Sequence, residues 1–206
     1  MNGITENNKV LVSGTICSEF EFYYETFGEG FYTFTLRIKR ISGIYDEIPV
    51  IISDRLIDVT QNIYGKYIEI KGQLRTYQEY YENGKGRLLV YIFAKDYELL
   101  SNELNENIIE LNGYICRQPN YRITSLSKRD ITDMMIAVNR QYNKSDYIPI
   151  ITWGRTAKYA SHLDLGTHLI IRGRIQSREY TKILENGDKI QRTTYEVSIN
   201  KLNVTE

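Results

Sequence analysis

The side chains best able to do covalent or metal chemistry are Cys17, Cys116, His162 and His168. A zinc site needs three or four thiolate, imidazole or carboxylate ligands at characteristic spacings, and a nucleophile needs a base beside it. The histidines stand six residues apart, with no cysteine or carboxylate completing a metal-binding spacing, and the cysteines are isolated. No glycine-rich run leads into a helix to cradle a phosphate. Two cysteines are too few for a disulfide framework and suit a reducing compartment as buried or half-buried thiols. The expectation is a protein with no catalytic residue, metal or cofactor.

Tyrosine is the other unusual resource, with 18 copies beside 6 Phe and a single Trp. Aromatic rings fit pleated, half-buried sheets for packing reasons alone, so number without position proves nothing. The net charge is zero, which excludes coating duplex DNA by charge alone. The charge is unevenly spread. Residues 1–100 carry 11 Lys and Arg against 14 Asp and Glu, and residues 101–206 carry 15 against 12. The second half is the cationic one.

A hydrophobic fraction of 42%, a charged fraction of 25% and only three prolines describe a chain folded almost throughout. The segment from Met1 to Asn8 is polar, without the apolar core of a signal peptide, and no later run approaches a membrane span. The expected location is the cytoplasm, with no membrane partner.

At 206 residues the chain accommodates one domain or two. An internal repeat decides for two. Asn8 to Cys17 (NKVLVSGTIC) is answered by Asn107 to Cys116 (NIIELNGYIC). Arg40, Asp46, Ile48, Pro49 and Val50 return as Arg140, Asp146, Ile148, Pro149 and Ile150, one residue further on. Gly65, Gly72 and Leu74 return as Gly166, Gly173 and Ile175, and Glu82-Asn83-Gly84 returns as Glu185-Asn186-Gly187. Offsets that grow by small steps in one order mean two homologous domains with a few loop insertions.

Within each copy the periodicity is that of strands, as in Val10, Val12 and Ile16 or Ile68, Ile70 and Leu74. A short first strand ends near a glycine. Phe31 to Arg40 and Thr132 to Arg140 read as second strands, Glu47 to Ser53 and Tyr147 to Trp153 as third strands. Asp54 to Tyr64 and Gly154 to Leu165 each admit a short helix stopped by Gly65 or Gly166. A hairpin follows, its turn at Asn83-Gly84 or Asn186-Gly187, where the Asn-Gly pair accepts positive φ. The predicted fold class is all-β: two tandem five-stranded OB-fold barrels, each with a short helix between strands 3 and 4. Residues 1–100 form the diverged first domain, 101–106 a short linker that keeps the barrels close, and 107–206 the second domain.

The second copy resembles the bacterial single-stranded DNA-binding protein family. The resemblance rests on Ile148 to Arg155 (IPIITWGR), Ala157, Gly166, Arg172 to Tyr180 (RGRIQSREY), Thr194, Glu196 and Val197, extended by Asn107 to Gly113 and Ile136 to Arg140. The first copy agrees more thinly, through Asn8 to Gly14, Thr33 to Leu36, Ile48 to Val50 and Gly72 to Thr76. In that family aromatic rings stack on bases while Arg and Lys follow the phosphates. Such binding tolerates any sequence, because every base has a π-face. The resemblance implies stacking positions at Tyr142, Tyr147, Trp153 and Tyr180. Tyr147 and Trp153 share a face on an unbroken strand. Arg140, Arg155, Arg172, Arg174 and Arg178 are the candidate phosphate contacts, and alternation sets Arg172, Arg174 and Arg178 on one side of the fourth strand.

The first copy departs where binding is concerned, with Ser42, Glu47, Ser53 and Glu79 opposite the four aromatics. Tyr45, Tyr77, Tyr80 and Tyr81 are its weaker candidates. The expected division of labour gives affinity to the second barrel and assembly to the first. The family often ends in a flexible tail with an acidic tip that recruits other proteins. This chain stops at Val204, Thr205 and Glu206, so that route is expected to be missing. Family members usually work with four OB-folds, which implies a homodimer here. The processes implied are replication, recombination and repair. The rival reading is an OB-fold protein-interaction or assembly module.

Overall fold

Isoleucine and valine at alternate positions send one face of each strand inward, so Ile48, Val50 and Ile52 are buried, as are Ile148 and Ile150 in the equivalent strand. In the computed structural model, which describes residues 7–80, 86–124, 127–183 and 187–205, this pattern yields eleven strands and one helix. The first half holds β1 (Asn8–Ile16), β2 (Glu21–Thr26), β3 (Glu29–Lys39), β4 (Tyr45–Ser53), β5 (Tyr67–Tyr80) and β6 (Gly86–Leu100). The second holds β7 (Asn107–Ile123), β8 (Asp130–Asn139), β9 (Ser145–Trp153), α1 (Gly154–Ala160), β10 (His168–Ile183) and β11 (Lys189–Thr205). Among the described residues no helix is long and apolar enough to cross a membrane.

Strand pairing closes a circuit in each half. β1 pairs with β3 and β5, β5 with β6, β6 in parallel with β4, and β4 with β3. β7 pairs with β8 and β10, β10 with β11, β11 in parallel with β9, and β9 with β8. The halves are joined by antiparallel pairing of β1 with β7, from Asn8 opposite Leu111 to Val12 opposite Asn107. Their buried apolar residues belong to one cluster.

The repeated residues bend and lock these circuits. Gly72 of β5 and Gly173 of β10 sit opposite bulges in their partner strands β6 and β11. A Cβ there would lie 2.2 and 2.4 Å from the carbonyl oxygens of Phe93 and Ser198, so only glycine lets the paired backbones approach. Asn8 donates from Nδ2 to the Leu74 carbonyl (2.8 Å) and accepts the Leu74 N–H (2.9 Å). Asn107 makes the same pair of bonds with Ile175, each at 2.9 Å.

Four expectations change. Among the described residues, no helix forms between β4 and β5. Instead the Asp58 side chain accepts from Thr60 and Gln61 and that of Asn62 accepts from the Tyr64 N–H, local bonds that favour turns over a helix. In the second half α1 forms with Ala157 and Ala160 buried, but it ends at Ala160, well before Gly166. Gly65 and Gly166, at φ +78 and +81, serve the turns entering β5 and β10. The first half has a sixth strand, β2. The first strand of the second half is long, and its extension past Cys116 pairs with β8 through two irregularities. Of the hairpin-turn residues, Asn83, Gly84 and Asn186 lie outside the described residues, while Gly187 adopts φ +85.

The segment 101–106 is tied down. Ser13 donates its N–H to the Glu106 carbonyl and accepts the Glu106 N–H on Oγ, both at 2.9 Å, while the Tyr67 hydroxyl donates to the Leu104 carbonyl at 2.7 Å. Because Asn8 is buried and Leu74 has its backbone bonds to it, Asn8→Ala strands two buried polar groups. Urea denaturation of the full chain should show a loss of about 2 kcal/mol or more. An unchanged midpoint would contradict this role.

Candidate functional site

β9 presents Tyr147, Pro149, Ile151 and Trp153 on one side and buries Asp146, Ile148, Ile150 and Thr152 on the other. At its end Trp153 meets the open side of β11, where its indole N–H donates to the Ser198 hydroxyl at 3.0 Å. That bond fixes the ring, of which 37% of the residue surface remains exposed. Gly154 follows at φ +57 and turns the chain into α1.

Trp153 lies in a groove of about 590 Å³ whose apolar floor includes Ile131 and Ile151. Five guanidinium groups line it: Arg122 from β7, Arg129 from the turn before β8, Arg174 and Arg178 from β10, and Arg40 from the first half. Arg122 is held by Asp133 (Nε to Oδ2, 2.6 Å), a bond that raises its already high pKa. Arg178 donates to Glu196 at 3.2 Å, and Gln176 donates to the other oxygen of that buried carboxylate at 2.9 Å. The Arg129 and Arg174 guanidinium groups have no carboxylate partner among the described residues. The arrangement suits a planar ring carrying anionic groups, with the indole face for the ring and free guanidinium for the anions.

The predicted residues separate into those at the groove and those elsewhere. Trp153, Arg174 and Arg178 line it. Tyr180 is exposed two residues beyond Arg178 on the same strand. Tyr142 is 90% exposed in the turn between β8 and β9, at φ +60. Tyr147 has an exposed ring, but its N–H donates to Thr76 Oγ1 of the first half at 2.9 Å. Arg155 is exposed on α1. Arg140 turns inward, its Nε 3.6 Å from buried Asp146. Arg172 keeps the same side of β10 as Arg174, since burial alternates without a break from Leu169 to Ile175, but it stands opposite Glu110 of β7 and pairs with it at 3.4 Å on the surface over the β1–β7 junction, outside the groove. Cys116 is exposed, not buried, because β7 continues past it, whereas Cys17 is half-buried.

The ladder registers identify the same positions in the first half. Gln73, Tyr77, Tyr91 and Phe93 stand where Arg174, Arg178, Glu196 and Ser198 stand in the second, and Phe31 and Ser53 where Ile131 and Trp153 do. Here rings fill the face. Tyr24 of β2 stacks on Phe31 at 4.7 Å, Phe31 lies 5.7 Å from Phe93, and Tyr23 packs on both Tyr77 and Tyr91. The Arg75 guanidinium sits 5.9 Å above the Phe93 ring. Of the weaker candidates, Tyr77 is consumed in this cluster, Tyr45 and Tyr80 are exposed, and Tyr81 lies outside the described residues. Glu47 pairs with Arg37 at 2.7 Å.

Sequence reading missed Arg40, Arg122 and Arg129 at the groove, and β2 with its rings in the first half. The alternation of Phe22 and Tyr24 before Gly28, followed by Phe31, was the available signal for a hairpin.

With this geometry in place, the comparisons define a class. Residues 106–205 match the Single-strand binding protein family. A Single-stranded DNA-binding protein of Clostridium tetani (strain Massachusetts / E88) is 29% identical over 106 residues, 48% of this chain and 70% of its own length. The wild-type single-stranded DNA binding protein from Thermus aquaticus shares the fold, with a TM-score of 0.74 at 20% identity over 97% of this chain and 93% of that one. A deletion mutant of the same protein gives 0.72 at 20% identity over 97% and 94%. The model of that family thus matches nearly half of the chain, and the resemblance drawn from the second copy's residues is to the same family. The mostly-β fold is that of those structures across nearly the full length.

The ring cluster makes a prediction about pH. Burial pushes the Tyr91 phenol up to about 12, and burial also raises Tyr24 and Tyr77. The folded state therefore holds these protons where the unfolded chain, near 10, loses them. Stability from this cluster should be complete below pH 10 and fall as the pH rises toward 12. Absorbance titration should show a group of phenols ionising only together with unfolding. Ionisation of all tyrosines near pH 10 in the folded protein would contradict the packing.

Proposed function

We propose that this protein holds single-stranded DNA in the Trp153 groove, without regard to sequence and without chemistry on the strand. The observation that carries the reading is a single one: an indole fixed by Ser198 in a groove where Arg129 and Arg174 stand without carboxylate partners among the described residues. Bases stack on the exposed ring face while guanidinium groups take the phosphates, an economy open only to unpaired strands because a duplex hides its base faces. Tyr180 extends the stacking surface along the hairpin, and Tyr142, Tyr147 and Arg155 are outlying contacts for a longer strand. The match of residues 106–205 to the single-strand binding protein family and the likeness of the whole fold to the Thermus aquaticus protein support this reading.

In the same reading residues 1–100 and 107–206 are tandem OB-fold barrels joined by 101–106, and two chains supply four barrels. The first barrel is the supporting partner, because its equivalent face is occupied by its own rings. Protection of unpaired strands during replication, recombination or repair, in the cytoplasm, is the cellular work that follows.

The protein has one tryptophan, so its fluorescence reports on the groove alone. Titration with an oligothymidine should quench Trp153, with affinity falling as salt rises. Trp153→Ala should weaken binding by about 1–3 kcal/mol, measured by anisotropy of a labelled strand. Arg174→Gln should flatten the plot of log K against log salt by about 0.7. Absence of both quenching and salt-sensitive binding would refute the reading and favour a protein-interaction module.

A further inference from the structure

The groove is not built by one half. Resting on the reading above, we infer that the first half sets the shape of the second half's groove by clamping both strands of the β10–β11 hairpin, with Asp46 and Arg40 as positioning residues.

The clamp on β10 is Asp46, a carboxylate of the first half with no exposed surface. Its Oδ1 accepts the Ser177 N–H at 2.6 Å and the Ser177 hydroxyl at 2.8 Å. Arg40 donates to the same carboxylate from Nε (2.6 Å) and Nη2, and Nη2 also donates to the Ser177 carbonyl at 2.9 Å. Ser177 therefore has its N–H, its hydroxyl and its carbonyl all bound by the first half. Its neighbours on β10 are Gln176 and Arg178, and all three line the groove. The clamp on β11 is Arg87, whose Nη2 donates to the Thr193 carbonyl at 3.3 Å. Thr193 pairs with Glu179 across the hairpin, so both strands are held beside the segment that carries Arg178 and Tyr180.

Arg40 lines the groove with 23% of its side chain exposed, and its charge is already opposed by Asp46. It is a wall and not a free cation. A matching lock on the other side of the junction supplies the comparison. Asp146, equally buried, accepts the Thr76 N–H at 2.8 Å and pairs with Arg75 at 3.0 Å. That lock holds the first half's hairpin, whose face is filled by rings. The two locks bury similar groups, yet only one lies against the groove.

Asp46→Asn separates the roles by the sign of the effect. The substitution removes a negative charge beside the groove, so if Arg40 contacts phosphate, freeing it tightens binding and steepens the salt dependence. If the clamp positions the hairpin, oligothymidine binding instead weakens about tenfold, and the salt slope flattens although no groove cation has been removed. Arg40→Gln and Arg87→Gln should act in the same direction, the second from outside the buried carboxylate and so with less risk to folding. Arg75→Gln, in the matching lock, should lower the unfolding midpoint while leaving the dissociation constant and salt slope unchanged. Tighter binding by Asp46→Asn, unchanged affinity in both Asp46→Asn and Arg87→Gln, or equal losses in Arg75→Gln and Asp46→Asn would each overturn the inference. Should Asp46→Asn fail to fold, Arg87→Gln decides alone by whether its affinity falls. Trp153 quenching in the unaltered protein separates these failures from failure of the DNA-binding reading itself.

Discussion

Asp46 and Asp146 are carboxylates without exposed surface at the line where the two halves meet, and an ionised group there is tolerable only if every lone pair finds a donor. Neither half satisfies its own. Asp46 needs Ser177 and Asp146 needs Thr76, so each buried charge is completed by backbone and hydroxyl donors from across the junction. The β1–β7 ladder joins the halves, and these two carboxylates tie them together a second time. A shift of the junction would take these donors from a buried charge and leave it only partly satisfied, which costs more than a lost surface contact.

Within that frame the copies have spent the same positions on different chemistry. Where the second half has Arg174, Arg178 and Trp153 around a groove, the first has Gln73, Tyr77 and Ser53 beneath rings brought in by β2. Opposite these rings a base would find aromatic surface already paired with aromatic surface. The second half keeps guanidinium groups on a face that the first has made apolar and self-packed.

Much of this was legible from residue order. The alternating Ile and Val, the matched glycines and the repeat itself predict the strands and their doubling, because burial on one face is a period-two property that sequence records directly. Trp153, Arg174 and Arg178 were legible as a group through family resemblance. Arg172 shares a side of β10 with Arg174, as alternation predicts, but the pairing of β10 with β7 sets it opposite Glu110 and outside the groove, which residue order does not record. Asp46 and Asp146 belong to the repeat and were legible as framework, but not as a junction, since Ser177 and Thr76, which complete them, lie 131 and 70 residues away in the other half. The helix between β4 and β5 failed for a local reason, the competition from the Asp58 and Asn62 side chains.

β2 has one further effect. It ends the eleven-stranded order, pairing with β3 alone, so its outer side is an unpaired run of backbone donors and acceptors among the described residues. Such a border invites a second chain to add on, the first step toward fibrous stacking. Here the strand is six residues long, carries exposed Glu21 and Glu25, and is kinked by a register shift between Phe22 and Tyr24. A strand so rich in exposed aromatics would otherwise be adhesive. Its brevity, charge and kink let the first half keep its rings without becoming a template for aggregation.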